Sequence, residues 1–249
     1  VKINHISKSA KLGLGCQVGF FSVISENVQL GENVYIGNSV TVYPGVIIGS
    51  GVSIGDNSVV GKQPHPGKTS TVKYEKPLPP LKICDGTIVG AGAVLYAGSY
   101  IGKNVLVGDL ASIREESFIG DSTIVGRGVA IENKVKIGSH VKIQTNAYIT
   151  AYTTVADHVF IAPCIITTND NKMGRTETRY AQKKGPLIER GARVGAGSII
   201  LPGITVAEET FVAAGSLVTK DTPDGKLIMG HPARVHRDVS EEEFLKNDL

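Results

Sequence analysis

Five residues able to do chemistry recur at intervals of 18: Tyr96, Arg114, Glu132, Thr150 and Thr168. The next positions along the same column add Glu115, Glu116, Asn133, Tyr152, Asn169 and Asp170. Glu132 is the acid best placed to take a proton or to hold an ammonium group. Asn133 and Asn169 can orient a hydroxyl or an amine, while Tyr96, Arg114, Glu115, Tyr152 and Asp170 are expected to bind a substrate. Backbone amides at turns beside small residues offer donors to a developing oxyanion, because no side chain blocks their approach. His140 and His158 are also 18 residues apart and share one outward face. Each is either a base or a plain surface or interface histidine, and His158 is kept with the catalytic group. His5, His65, His231 and His236 lie far from that face, so no zinc site and no other metal is expected.

These residues must be carried by a repeat. Stepping by six from Ile6 reaches Leu12, Val18, Ile24, Leu30, Ile36, Val42, Ile48, Ile54 and Val60 without a miss. A second run steps from Ile83 to Ile161, and a third from Ile188 to Val218, for thirty hexads in all. The residue after each aliphatic is usually small, as at Gly31, Gly37, Gly49, Gly102, Gly120 and Gly138, which suits a bend and a positive φ. One aliphatic and one bend per six residues describe a short strand and a turn. Three such faces close a triangular coil of 18 residues with the aliphatics stacked inside. The predicted fold is all-β: a parallel β-helix of about ten triangular coils at roughly 4.8 Å each. Neither a 3.6-residue nor a 2-residue period fits.

Two segments break the period and are read as loop insertions. Residues 61–82 carry five prolines, and residues 168–187 are polar and basic. Insertions of this length are expected on a working face. If the proline-rich loop simply bulges from one corner, Ser25, Tyr43 and Gly61 extend the column of Tyr96 and Glu132, and both insertions leave from that corner. The other two corners carry mainly glycine and alanine. A polar cleft along one edge, roofed by loops, is therefore predicted. The repeat is expected over 1–219, with a cap over 220–249 that ends in a short helix from Ser240, serine at its N-cap and acids in its first turn.

Composition excludes several classes. Tryptophan is absent and aromatics make up 6%, so the core must be small aliphatics. The net charge of +3 is too mild for a nucleic-acid track. Basic residues gather in 172–184 and near Arg234–Arg237, a pattern suited to a local phosphate contact or to a plain solvated loop. No apolar stretch approaches a membrane span of about 20 residues. Neither is there a leader-like run at the start. Cys16, Cys84 and Cys164 form no CxxC pair, which reads as free thiols in a reducing, cytoplasmic setting.

The pattern of aliphatic, small residue, two variable positions, then Ser, Thr, Ala or Val resembles the hexapeptide-repeat acyltransferases over most of the chain. The resemblance implies a left-handed helix and a homotrimer with sites between subunits. The stretch SIREES (112–117), with the hexads on to IITTND (165–170), is similar to N-acetyltransferases of dTDP-linked 3-amino-3,6-dideoxyhexoses. That implies acetyl-CoA as co-substrate and a nucleotide-linked amino sugar as acceptor, with Gln144 and Asn146 among the substrate contacts. GARVGAGSIILPGITV from Gly191, VTKD (218–221) and GHPA (230–233) resemble the CoA-binding end of the family. Arg193, Ser198, Ala214, Lys220 and Arg234 are the matching positions. Some relatives have histidine where Gln144 stands and an acid where Ala151 stands, so either proton transfer here falls to Glu132 or a stacked histidine, or the protein acts on a different sugar. O-acetylation of a sugar or antibiotic hydroxyl, and a non-catalytic scaffold, are the competing readings.

Overall fold

The computed structural model describes residues 3–70, 72–176 and 183–245. They form three sheets of eleven, ten and twelve strands, parallel and with each strand paired to the one three places on in the chain, except for the last two strands of the third sheet. His5–Ile6 pairs with Val23–Ile24, and the 18-residue register holds through each coil without an insertion, as in Ile113 opposite Ile131. The architecture is a left-handed parallel β-helix with almost no helical content. It has more coils than the hexad count suggested, closer to twelve than ten. Beyond the thirty hexads, the first sheet gains Ile166–Thr167, whose inward residue is a threonine, and in the third sheet Lys226–Gly230 adds a parallel strand on which Ala233–Asp238 folds back antiparallel.

Each hexad contributes two inward side chains. The aliphatic of the strand is one, such as Ile101, Ile119 or Ile137; the residue four places later is the other, such as Val105, Val129 or Val141. Where that second position is polar, its hydroxyl bridges neighbouring coils. Thr123 Oγ1 donates to the Gly138 carbonyl at 2.8 Å and accepts from the Val141 amide at 3.2 Å. Burying a hydroxyl is tolerable only with such partners.

The corner glycines work differently from the sequence-based expectation. Gly31, Gly37, Gly49, Gly102, Gly120 and Gly138 do not have positive φ; the left-handed residue is two places further on, as at Asn33, Asn104, His140 and His158. Glycine is needed at the bend because the next coil is so close. A Cβ on Gly120 would lie 2.5 Å from the Gly138 carbonyl carbon, and one on Gly108 would lie 2.6 Å from the Arg127 nitrogen.

Both insertions leave from the corner that follows the first sheet. The proline-rich one departs after Val59–Lys62 and rejoins at Lys82–Ile83; the other lies between Ile166–Thr167 and Leu187–Ile188. Part of the basic cluster of 172–184, at 177–182, lies outside the described residues. The expected terminal helix is a single 3-10 turn, Glu241–Glu243, and Ser240 makes no side-chain cap bond. Residues 246–249 of that segment are outside the described residues. Cys16, Cys84 and Cys164 are free thiols. No described helix is long and apolar enough to cross a membrane.

Gly120→Ala should overpack its corner and cost about 1–3 kcal/mol, lowering the melting temperature by several degrees. Gly67→Ala, with nothing within 4 Å of the added carbon, should leave the melting temperature unchanged. Equal melting of the two variants would refute the close-approach account.

Candidate functional site

The proline-rich insertion begins at a bulge. The pairing shifts between Val60 and Lys62, and Gly61 takes up the extra residue at φ 84°. The shift places Lys62 opposite Tyr96 rather than one position earlier. The Lys62 ammonium then lies 5.5 Å from the Tyr96 ring centre, and the Arg114 guanidinium lies 5.3 Å from the same centre. The loop is tied at its neck by two bonds between Gln63 and Leu78, at 2.8 and 2.9 Å. The Gly98 amide secures it to the prism by donating to the Pro79 carbonyl at 2.7 Å.

Under this loop lies a charged cluster. Arg114 donates from Nε and Nη2 to the two oxygens of Glu115, both at 2.8 Å, and from Nη1 to Glu132 at 3.4 Å. Tyr74, from the insertion, donates its hydroxyl to Glu115 Oε1 at 2.8 Å. Glu115 is wholly buried. Burial alone would push its carboxyl up, but the bonds from Arg114, the backbone and Tyr74 outweigh this and hold it below the usual range. Burial and the hydrogen bond to Glu115 push the Tyr74 phenol up, so it remains a donor. The bond to Glu115 raises Arg114 further still, against the effect of burial. A hollow of about 300 Å³ beside the cluster is lined by Lys62, His65, Ser70, Tyr74, Tyr96 and Arg114.

The edge continues toward the C-terminus. Asn133 is buried and lines a hollow with Tyr74, Lys134, Tyr152 and Lys183. The following hollow takes in Tyr148, Thr150, Thr168, Asn169, Asp170 and Leu201. There Asn169 donates to the Ala151 carbonyl at 3.3 Å, and Asp170 accepts from the Lys172 and Gly174 amides, which shapes the second insertion. Burial, then the negative charge of Glu132, raise the Tyr148 phenol. At the last coil, Thr219, Lys220, Asp221 and Arg234 line a further hollow. From the coil of Arg114 to that of Thr219 is five steps, about 24 Å at ~4.8 Å per coil.

Thus Tyr96, Arg114, Glu115, Glu132, Asn133, Tyr152, Asn169, Asp170, Lys220 and Arg234 share one edge. Several expected site residues do not. His158 turns the corner between the second and third sheets, its ring stacked on His140 at 4.9 Å. Both histidines line a separate hollow with Arg193 and Glu243. Arg193 lies on the outer face of the third sheet, paired with Glu243 at 2.8 Å and set over the Phe211 ring. Gln144, Asn146 and Ala214 stand at the corner after the third sheet. Ser198 is buried inside the prism, donating to Ala213 O and accepting from the Ser216 amide. Its hydroxyl braces coils, as Thr123 does, because it occupies the second inward position of its hexad. Tyr74, Lys62 and His65 were missed. The first insertion supplies Tyr74 and His65, and the bulge at its root displaces Lys62, so no periodic signal reached them. Among the described residues, no group of three or more His, Cys, Asp or Glu side chains is placed to hold a metal ion.

Two family models match parts of the chain: bacterial transferase hexapeptide (six repeats) over residues 27–62, and hexapeptide repeat of succinyl-transferase over 187–220. Galactoside O-acetyltransferase of Lactococcus lactis is 36% identical over 97 residues, 38% of this chain and 47% of that protein. The 2,3,4,5-tetrahydropyridine-2,6-dicarboxylate N-acetyltransferase of Staphylococcus aureus is 38% identical over 63 residues, 25% of this chain and 26% of that one. The chain thus spans less than half the length of these relatives. Among solved structures, the UDP-N-acetylglucosamine acyltransferase of Campylobacter jejuni is 17% identical with a TM-score of 0.49, over 94% of this chain and 72% of that one. A six-residue period fills the prism, and over those two segments the chain is similar to the hexapeptide transferases.

Proposed function

We propose that the protein is an acetyl-CoA-dependent N-acetyltransferase whose acceptor is the amine of a nucleotide-linked amino-deoxy sugar. The unequal hold of Arg114 on its two carboxylates carries this reading. Arg114 is committed to Glu115 by two bonds at 2.8 Å and reaches Glu132 by one at 3.4 Å, so Glu132, the less buried of the two, is open to an incoming ammonium. Glu132 would hold that ammonium and take its proton, giving the neutral amine that attacks the thioester. Asn133 and Asn169 would orient the acceptor. The departing CoA thiolate can itself accept a proton, so no strong base is required. At the far end of the edge, Lys220 and Arg234 present two cations suited to the phosphates of CoA.

A homotrimer with sites between subunits fits two features. The outer face of the first sheet carries Val23, Thr41, Val59, Val94, Ser112, Ala130, Ile199 and Leu217, a run without charge on which copies could pack. Gln144 and Asn146 stand on another edge, and a neighbouring copy would be needed to bring them to Glu132. A cytoplasmic setting, where acetyl-CoA and nucleotide sugars are made, accords with three free thiols.

One observation favours a second reading, O-acetyl transfer. His65 lines the hollow beside Arg114 and Tyr96, where it could serve as a base for a hydroxyl, and one relative is named as an O-acetyltransferase.

A thiol-release assay with acetyl-CoA, run against nucleotide-linked 3-amino and 4-amino sugars and their hydroxyl counterparts, separates the two. Release is expected with an amine acceptor, and turnover confined to hydroxyl acceptors overturns the proposal. Glu132→Gln and Asn169→Ala should each slow transfer at least tenfold, about 1.4 kcal/mol, whereas His65→Ala should not. The reverse pattern would establish the O-acetyl reading.

Lys220→Ala combined with Arg234→Ala should raise the KM for acetyl-CoA several-fold and leave kcat nearly unchanged. An unaltered KM would remove the CoA assignment from that end. Failure of the wild-type protein to bind CoA at all in equilibrium dialysis would restore the scaffold reading.

A further inference from the structure

The buried carboxylate of Glu115 sits between the insertion and the edge, touching both. Its Oε1 accepts from Tyr74 of the loop and from Arg114 Nη2, and its Oε2 accepts from Arg114 Nε. Two parallel bonds fix the plane of the guanidinium, because Arg and carboxylate match in shape. The Tyr96 ring, 5.3 Å away, supports one face of that plane. With Nε and Nη2 committed to Glu115, Nη1 is left directed at Glu132. Where Glu132 sits is therefore determined by Arg114, and where Arg114 sits is determined by Glu115.

Tyr74 completes the chain. The bonds at the loop's neck, between Gln63 and Leu78, hold only its base, whereas Tyr74 anchors its outer part to the coil below. A carboxylate without exposure needs its lone pairs filled, and the Tyr74 hydroxyl fills one that Arg114 does not. Losing it would free Glu115 to rotate and loosen the paired bonds to Arg114.

We propose that Tyr74 is a positioning residue, which through Glu115 and Arg114 sets Glu132 in place, so that closure of the proline-rich insertion and readiness of the transfer site are one event. This rests on the reading in which Glu132 serves the acceptor amine. It gives the loop a second role beyond roofing the cleft: an acceptor that enters by lifting the loop would meet a slack Arg114–Glu132 pair. The pair would tighten only when the loop returns.

Tyr74→Phe removes the hydroxyl and keeps the ring. With the amine acceptor that turns over, kcat is expected to fall at least tenfold while the KM for acetyl-CoA is unchanged. In an Arg114→Lys background, the same substitution should cost less than twofold, because its route to Glu132 is already cut. Full, additive losses in both backgrounds would show a merely structural role and overturn the proposal. Hydrogen exchange provides a readout independent of turnover. Tyr74→Phe should speed exchange over residues 72–78, while the coils outside the 112–117 turn exchange as in the wild type. Unchanged exchange over 72–78 overturns the latch whatever the reaction is. Should the wild type release no thiol with any acceptor, the transfer reading fails on its own, and exchange alone decides whether the latch exists.

Discussion

Each coil lies so close to the coil 18 residues on that its bends are nearly in backbone contact, and this spacing governs where chemistry can be placed. At the second and third corners, an added Cβ would collide with backbone of the next coil, as at Gly108 and Gly120. Glycine or alanine therefore fills most first bend positions there, and larger side chains such as His140 and His158 follow two places later. The corner after the first sheet is the exception, and Tyr96, Arg114, Glu132, Thr150 and Thr168 occupy its bends. Both insertions leave from the same corner. The first position of the bend therefore carries a reactive side chain at every level of that edge, and stacking spaces these at roughly one group per 4.8 Å.

That edge is electrically uneven. Toward the N-terminal half, Arg114 is outnumbered by Glu115 and Glu132, and Lys62 stands off beyond the Tyr96 ring. Toward the last coil, Lys220 and Arg234 stand together. Burying Glu115 is costly unless its charge is matched, since an unpaired buried ion is among the least tolerable features of a folded protein. Arg114 and Tyr74 supply the match, and the carboxyl is held below its usual range as a result. Stabilising that charge also fixes the geometry of its neighbours. The remaining negative charge on Glu132 is the one less buried and more available to a ligand.

The period made the fold legible, since thirty aliphatics at six-residue steps leave no other way to bury them. Phasing by 18 likewise showed which side chains share an edge, because register in a stacked coil transmits sequence spacing directly into space. What escaped detection was whatever the period does not carry. Tyr74 and His65 reach the edge through a proline-rich loop whose path no spacing rule encodes. Lys62 reaches Tyr96 through a one-residue bulge at Gly61. Ser198 looked like a ligand contact, but its hexad position points inward, where it braces coils. Gln144, Asn146 and His158 belong to other corners, as their phase already indicated; resemblance and residue type had grouped them with Glu132. Within the cap expected over 220–249, the helix from Ser240 is a single 3-10 turn, and Lys226–Asp238 extends the third sheet as a hairpin, because an open edge of paired strands offers backbone bonds.

A stacked prism is a poor source of motion, since shifting one coil breaks register with two neighbours. Its edge can hold groups in fixed relation at little entropic cost during reaction, which is how preorganised donors and acceptors become effective. The same rigidity limits discrimination, because a column of evenly spaced bends presents much the same shape at every level. On the proposed transfer reading, selectivity for an acceptor would then arise where the period is broken. The two insertions meet that requirement: one brings Tyr74, His65 and a hollow of about 300 Å³ to the edge, and the other contributes Asn169 and Asp170. A donor that binds along unbroken coils and an acceptor that is read by loops would be separable problems for such a scaffold. The Tyr74–Glu115–Arg114 chain is the point at which the two meet, since it ties the insertion to the carboxylate that the rigid edge supplies.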